Sequence, residues 1–200
     1  MNKIKLKNLY AFVYCKSEFY RSLDVCKFDE YEFTSGINFL NGEIDSGIWG
    51  ISYTLSMYKH KPKDIIFYSS PDIIANDTLA SLTDITELSC YMDKTYKLFS
   101  SKAPVKNLVS AGLKKSGLSY KIEDIQELFH IDSIRFKRPI TQVGNEIFRC
   151  MAAIGFSYNK QVFCFPWLSK LRFENYHKNM TDVLGILESF GKIIILPVGK

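Results

Sequence analysis

The chain has 200 residues, of which 46% are hydrophobic and 24% charged, values that suit one soluble globular domain and weigh against disorder. Its formal net charge of +5 comes from scattered lysines rather than a clustered stripe, which argues against a nucleic-acid partner. Five cysteines occur without a C-x-x-C pair and the three histidines stand apart, so no metal site is expected and the thiols read as reduced core residues.

No segment approaches the roughly 18 to 20 continuous apolar residues of a membrane span. Met1 to Leu9 alternates lysine with apolar residues, unlike a secretory leader. Membrane contact is therefore expected only through a partner.

Ile4 to Val13 reads as a strand, and Cys26 to Phe33 alternates with period two, as a hairpin mate would. Ile37 to Leu40 is a short buried strand, Asn41 to Gly47 a loop, and Ile48 to Tyr58 a helix. The run Lys59-His60-Lys61-Pro62-Lys63 is either a solvated loop or a patch for phosphate or acidic lipid. Asp64 to Tyr68 and Ile85 to Tyr91 are further strand candidates. Helices are expected over Pro104 to Lys115, Ile122 to Phe129, Asn145 to Phe156 and Asp182 to Phe190. Val162 to Phe165 and Ile193 to Leu196 are buried strands, the latter stopped by Pro197. The order predicts an α/β domain with a helical insertion.

The strand, loop and helix at Ile37 to Trp49 carry the main chemical signal. Gly42 and Gly47 have the five-residue offset of a phosphate-binding loop, G-x-x-x-x-G-K-[ST]. Backbone amides there could turn toward an anion, with a helix N-terminus behind them. Ile48 stands where the lysine belongs, and Trp49 where the hydroxyl belongs. The intervening residues are Glu43, Ile44, Asp45 and Ser46. Asp45 or Ser46 could instead cap the following helix.

From Leu23 to Ser56 the chain resembles the opening of the ATP-binding cassette family, the nucleotide-binding domains of ABC transporters. The resemblance continues in order along the chain. Gln142 to Arg149 looks like the family's signature: Gly144, Glu146 and Arg149 match, whereas Val143 and Asn145 do not. Glu146 and Arg149 could also simply pair on a helix face. Gln161 to Ser169 resembles the Walker B strand and its exit, with Pro166 and Trp167 in place of the two acidic residues. Trp167 reads as core or interface. Gly191 to Val198 resembles the last strand, without its switch histidine. Asp93 is the best fit to the family's glutamine position, and Tyr14 or Tyr20 either stacks on adenine or packs locally.

The resemblance implies a P-loop NTPase-like cassette fold over residues 1–200. It would have an N-terminal antiparallel β subdomain and a helical subdomain over about residues 100–155. It also implies dimerisation with a second cassette, or with another copy, and docking on a membrane permease, hence a cytoplasmic site at the inner face of the membrane. No catalytic residue is expected, because every reacting position is substituted. No cofactor is expected either: ATP with Mg²⁺ is the one candidate, and the substitutions weigh against it. A like-charge contact at about 4 Å costs roughly 4 kcal/mol even at an effective dielectric near 20, and Glu43 and Asp45 lie in the loop. A pseudo-ATPase transport subunit is one expectation, and a non-transport binding or regulatory protein on the same fold is the other.

Overall fold

The computed structural model describes residues 1–99 and 102–200, the side chains of residues 177 and 178 excepted. The expected start of the helical segment near residue 100 thus lies outside the described residues. Two sheets organise the chain. The first is antiparallel: β1 (Lys3–Lys16) pairs with β2 (Arg21–Thr34) along its whole length. On its other side β1 meets β4 (Ile65–Ser69) and β5 (Asp72–Ala75), and β5 continues to β6 (Thr78–Ala80). The second sheet is parallel, in the order β3 (Gly36–Asn41), β9 (Ile193–Val198), β8 (Val162–Cys164), β7 (Ser89–Tyr91). Every residue of β7, β8 and β9 is buried, as in a sheet covered on both faces, whereas the edge strand β3 is only partly buried and exposes Phe39, so Ile37 to Leu40 is not the fully buried strand its apolar run suggests.

Helix α1 (Ile48–Met57) lies between the sheets and touches strands of both. Helix α2 (Leu82–Leu88) leads into β7. Helices α3 (Val105–Ser116), α4 (Ile122–Leu128), α5 (Ser133–Phe136) and α6 (Ile147–Ser157) follow before β8. Helix α7 (Lys170–Ser189) packs on α6 and β9. Among the described residues no helix is long and apolar enough to cross a membrane.

Several elements differ from the sequence expectation, each for a local reason. Ile85 to Tyr91 is mostly helix rather than strand. Ser81 accepts the Asp84 amide at 3.1 Å and Asp84 accepts the Ser81 amide at 3.1 Å, a reciprocal cap that starts α2 three residues before the apolar run. The last helix begins at Lys170, not Asp182, because Ser169 accepts the Arg172 amide; its first turns are too polar to show periodicity. The β5–β6 hairpin turns at Asn76 and Asp77, with φ of 47° and 63°, the left-handed pair of a two-residue hairpin. Pro197 does not stop β9, which runs to Val198. Strand β8 ends at Cys164, and the next carbonyl, Phe165 O, accepts the Ser52 hydroxyl at 2.6 Å. Glu146 and Arg149 do not pair with each other. Arg149 binds Asp182 at 2.6 Å, and Glu146 accepts the Asp132 amide at 3.0 Å. All five cysteines are free and buried.

The seat of α1 on the antiparallel sheet requires a glycine. A Cβ on Gly50 would lie 2.1 Å from Cys26 Sγ and 3.2 Å from Asp24 Cβ. Gly50→Ala is expected to lose about 1 to 3 kcal/mol by overpacking, and Cys26→Ala in the same chain to recover part of it. Urea unfolding of the three variants checks this. A Gly50→Ala chain as stable as the parent would show that the helix is free to shift.

Candidate functional site

In parallel α/β sheets, ligands gather at the carboxyl ends of the strands, where loops leave the sheet. The loop after β3 lies at that end. The Gly42 amide donates to Val198 O at 3.0 Å, which ties the loop's first residue to the end of β9. Glu43 O accepts both the amide and the hydroxyl of Ser46, at 3.1 and 2.7 Å. The loop thus closes on itself, and Ser46 caps Glu43 rather than α1. Asp45 does not cap α1 either, since the helix has no side-chain cap at its N-cap residue Gly47. Gly47 has φ +86°, and a Cβ there would meet Val25 O at 2.6 Å, so this turn demands glycine. Ser46 Oγ and Ile48 Cδ1 lie 2.5 and 3.2 Å from where a Cβ on Gly42 would stand. Ser46 and Ile48 therefore crowd the space beside Gly42. Glu43 and Asp45 point to solvent, Ile44 is half-buried, and Ile48 is buried.

The first turn of α1 has a partner that the sequence reading did not single out. Asp24, on the inward face of β2 and fully buried, accepts the Gly50 amide at 3.0 Å and the Ser22 hydroxyl at 3.1 Å. A carboxylate at a helix N-terminus is ordinarily favourable by about 0.3 to 1 kcal/mol, more when partly buried. Desolvation is larger here. It pushes the Asp24 carboxyl up to about 6, against the hydrogen bonds from Gly50 and Ser22. A sequence signal existed: Asp24 shares the inward parity of Cys26 and Phe28 on β2, an apolar face on which a carboxylate needs an explanation.

Both tryptophans close this end of the sheet. Trp49 is fully buried, and its indole N–H donates to Tyr91 Oη at 3.0 Å. Tyr91 in turn donates to Lys16 O at 3.0 Å. Trp167 donates its indole N–H to Gly42 O at 3.0 Å and meets Tyr20 edge-on at 5.1 Å. Tyr20 accepts from Arg172 Nε at 3.0 Å, and that guanidinium lies 3.8 Å from the centre of Phe19. Tyr20 thus packs locally on Trp167, while Tyr14 is exposed at the end of β1.

The signature-like segment lies apart from the loop. Gly144 has φ +61° at a tight turn leading into α6. Arg135 donates to Val143 O at 3.0 Å and also contacts Asn145 Oδ1 and Glu146. Arg149 reaches His130 O and Asp182. Val143 is buried, and the Arg149 Nε is buried without a hydrogen-bond partner among the described residues. Gly144 and Asn145 line a cleft of about 240 Å³ whose other wall includes Glu18, Phe19, Asp93 and Pro166. Buried Asp93 accepts the amides of Glu18 and Thr95 at 3.0 and 2.9 Å, and burial raises its pKa. The structure therefore joins the signature-like turn to Asp93 and Pro166 across one cleft, which none of Gly42 to Trp49 lines.

Asp24 makes stability depend on pH in a defined direction. Its folded pKa lies above the ordinary value of 3.8, so the protonated form favours folding. That contribution is complete below about pH 4 and is lost as pH rises through about 6. Asp24→Asn keeps an acceptor for Gly50 without the charge. It is expected to match the parent near pH 4 and to exceed it at pH 8 by on the order of 1 to 3 kcal/mol. Chemical denaturation of both chains at the two pH values measures the difference. An Asn variant less stable than the parent at pH 8 would mean that the charge on α1 outweighs its burial.

No protein-family model matches the chain, and no curated protein does. Solved structures do. A protein described as an ABC transporter ATP-binding protein from Pyrococcus furiosus superposes with a TM-score of 0.63 at 14% identity, over 99% of this chain and 90% of that one. The cbiO1 protein of Clostridium perfringens, part of the ABC transporter complex cbiONQ, gives 0.65 at 13% identity, over 100% and 80%. An ATP-binding cassette seen as a dimer with ADP and Pi gives 0.62 at 11% identity, over 98% and 87%. The chain has the ATP-binding cassette fold, with its antiparallel β subdomain.

Proposed function

We propose that this chain is a catalytically inactive cassette subunit that neither hydrolyses ATP nor binds it tightly, and that serves a transport assembly through protein contacts. One observation carries the reading: the N-terminal turn of α1, where a cassette would meet phosphate, already holds the buried carboxylate of Asp24. A phosphate brought there would add negative charge beside a carboxylate that burial already disfavours, and Glu43 and Asp45 are exposed in the same loop. The other substitutions support the same conclusion. Phosphoryl transfer relies on positioning and on neutralising charge. At the four positions where the family carries lysine, hydroxyl, metal-binding carboxylate and general base, this chain has Ile48, Trp49, Pro166 and Trp167. Neither indole offers an acceptor for Mg²⁺ or for a water proton, since each donates its one N–H inside the protein.

The partner reading rests on the solved structures. One similar cassette is a dimer and another is part of a transporter complex. On this reading the chain pairs with an active cassette or with another copy, and a permease links it to the membrane.

Calorimetric titration of ATP with Mg²⁺ into the purified chain is expected to give no binding heat, and a phosphate-release assay no turnover. Ile48→Lys alone should not create binding, because Asp24 and Trp49 remain. Mg²⁺-dependent turnover that tracks the protein through successive columns would refute the proposal. Affinity purification from the native host tests the assembly: recovery of a multi-span permease supports it, and recovery of a soluble client alone points to a regulatory protein on the same fold.

A further inference from the structure

The outer face of the antiparallel sheet changes character at Asn8. Before it, Lys3, Lys5 and Lys7 face outward and pair with Glu32 and Glu30 across to β2. Asn8 takes φ 57°, and the strand then passes from β5 to β4 as its neighbour. Beyond it the outward residues of β1 are Tyr10, Phe12 and Tyr14. Phe12 and Tyr14 lie opposite Val25 and Leu23, and Phe12 is also opposite Ile66 on β4. Tyr68 stacks on Tyr10 at 4.7 Å and leans on Phe12 at 5.1 Å. These side chains are not satellites of the core: Tyr68 is 66% exposed, Ile66 63% and Leu23 56%. A contiguous apolar face of this kind is an interaction surface.

The margin of the face is cationic. Lys27 lies over Tyr10, and Lys16, whose ammonium also pairs with Asp64 at 3.0 Å, lies over Tyr14. Arg21 ends the same sheet edge, opposite Lys16. The turn that delivers β4 is the basic run noted in the sequence, and exposed Lys61 and Lys63 form no ion pair among the described residues. A second copy docked face to face would bring two such cationic rims together. The rings of Tyr10 and Tyr14 are already covered by Lys27 and Lys16, and Leu23, Val25 and Ile66 beside them offer nucleic-acid bases neither a stacking plane nor a hydrogen bond. Tyrosines and aliphatics ringed by lysine match the interface of an anionic bilayer, where rings and methyls enter the headgroup layer and ammonium groups meet lipid phosphates.

We propose that this sheet face binds an anionic membrane surface directly, independently of any permease and of the reading of the nucleotide site. The test is co-sedimentation with vesicles of phosphatidylcholine alone and of phosphatidylcholine containing about one third phosphatidylglycerol. The intact chain is expected to bind the anionic vesicles and release from them at high salt, with little binding to neutral ones. Ile66→Ser with Tyr68→Ser should weaken binding about tenfold or more, as should Lys61→Glu with Lys63→Glu. Melting curves establish that the variants are folded, and all four positions are exposed. Absence of binding to anionic vesicles overturns the proposal. So does binding that the Ile66/Tyr68 change leaves intact, which would make it a general effect of net charge. A salt-resistant dimer that this change dissolves, without vesicle binding, overturns it in favour of a second copy.

Discussion

A helix buried along its whole length must find partners for its first amides inside the protein, because water does not reach them. All ten residues of α1 are buried, pressed between the antiparallel sheet and the parallel one. That constraint shapes the molecule around it. The N-cap is a glycine in the left-handed region with no side chain to cap the turn, so β2 supplies the cap instead, as Asp24. Gly50 lets the helix settle onto Cys26, and the Cys26 thiol donates to Gly47 O at 3.2 Å. One short stretch of β2 thus sets the depth, the direction and the electrostatics of the helix entrance.

The arrangement has an energetic cost that identifies which effect dominates. The helix end and two hydrogen bonds favour the ionised carboxylate, yet desolvation still carries its pKa to about 6. At neutral pH the site therefore holds an anion that burial disfavours, and further anionic charge in the same turn would be harder to accommodate. The hydrogen bonds of the two tryptophans add to this. Trp49 ties α1 to β7 and, through Tyr91, to the end of β1; Trp167 ties the exit of β8 to Gly42. An open phosphate loop keeps its amides and its mouth available. This one closes Ser46 onto Glu43 and lets Ile48 reach toward Gly42. On the proposed reading, the features that replace the chemistry also hold the two sheets together.

What was legible in the sequence was what repeats. Apolar runs at Val162 to Phe165 and Ile193 to Leu196 hold the two central strands, whereas Ile37 to Leu40 is the edge strand β3 and leaves Phe39 exposed; the order of glycines, strands and helices resembles the cassette frame that the solved structures share. Features that depend on one contact were not. The start of α2 rests on the Ser81 and Asp84 exchange, which an apolar run starting at Ile85 conceals. The first turns of α7 are polar on most sides, so no stripe announces them. Asp24 is a single residue whose meaning lies in α1, far along the chain. The spacing of Gly42 and Gly47 suggests a phosphate loop, but it does not disclose that Ser46 and Ile48 crowd Gly42, because that depends on where their side chains turn.

The pleat of β1 explains how one strand can serve two surfaces. Successive side chains point to opposite faces, so the residues that bury α1 and the residues that face solvent are interleaved and physically separate. Ala11, Val13 and Cys15 are fully buried on the inner face, while Tyr10, Phe12 and Tyr14 alternate with them outside. Only the distortion at Asn8 interrupts this alternation, and it coincides with the change from a Lys/Glu ladder to aromatics. Substitutions on the outer face therefore leave the packing of α1 untouched, and the inner face can keep its constrained geometry while the outer one is free to take on a different contact. A strand that reads as one amphipathic segment is two functional surfaces joined back to back, with Asn8 marking where the outer one begins.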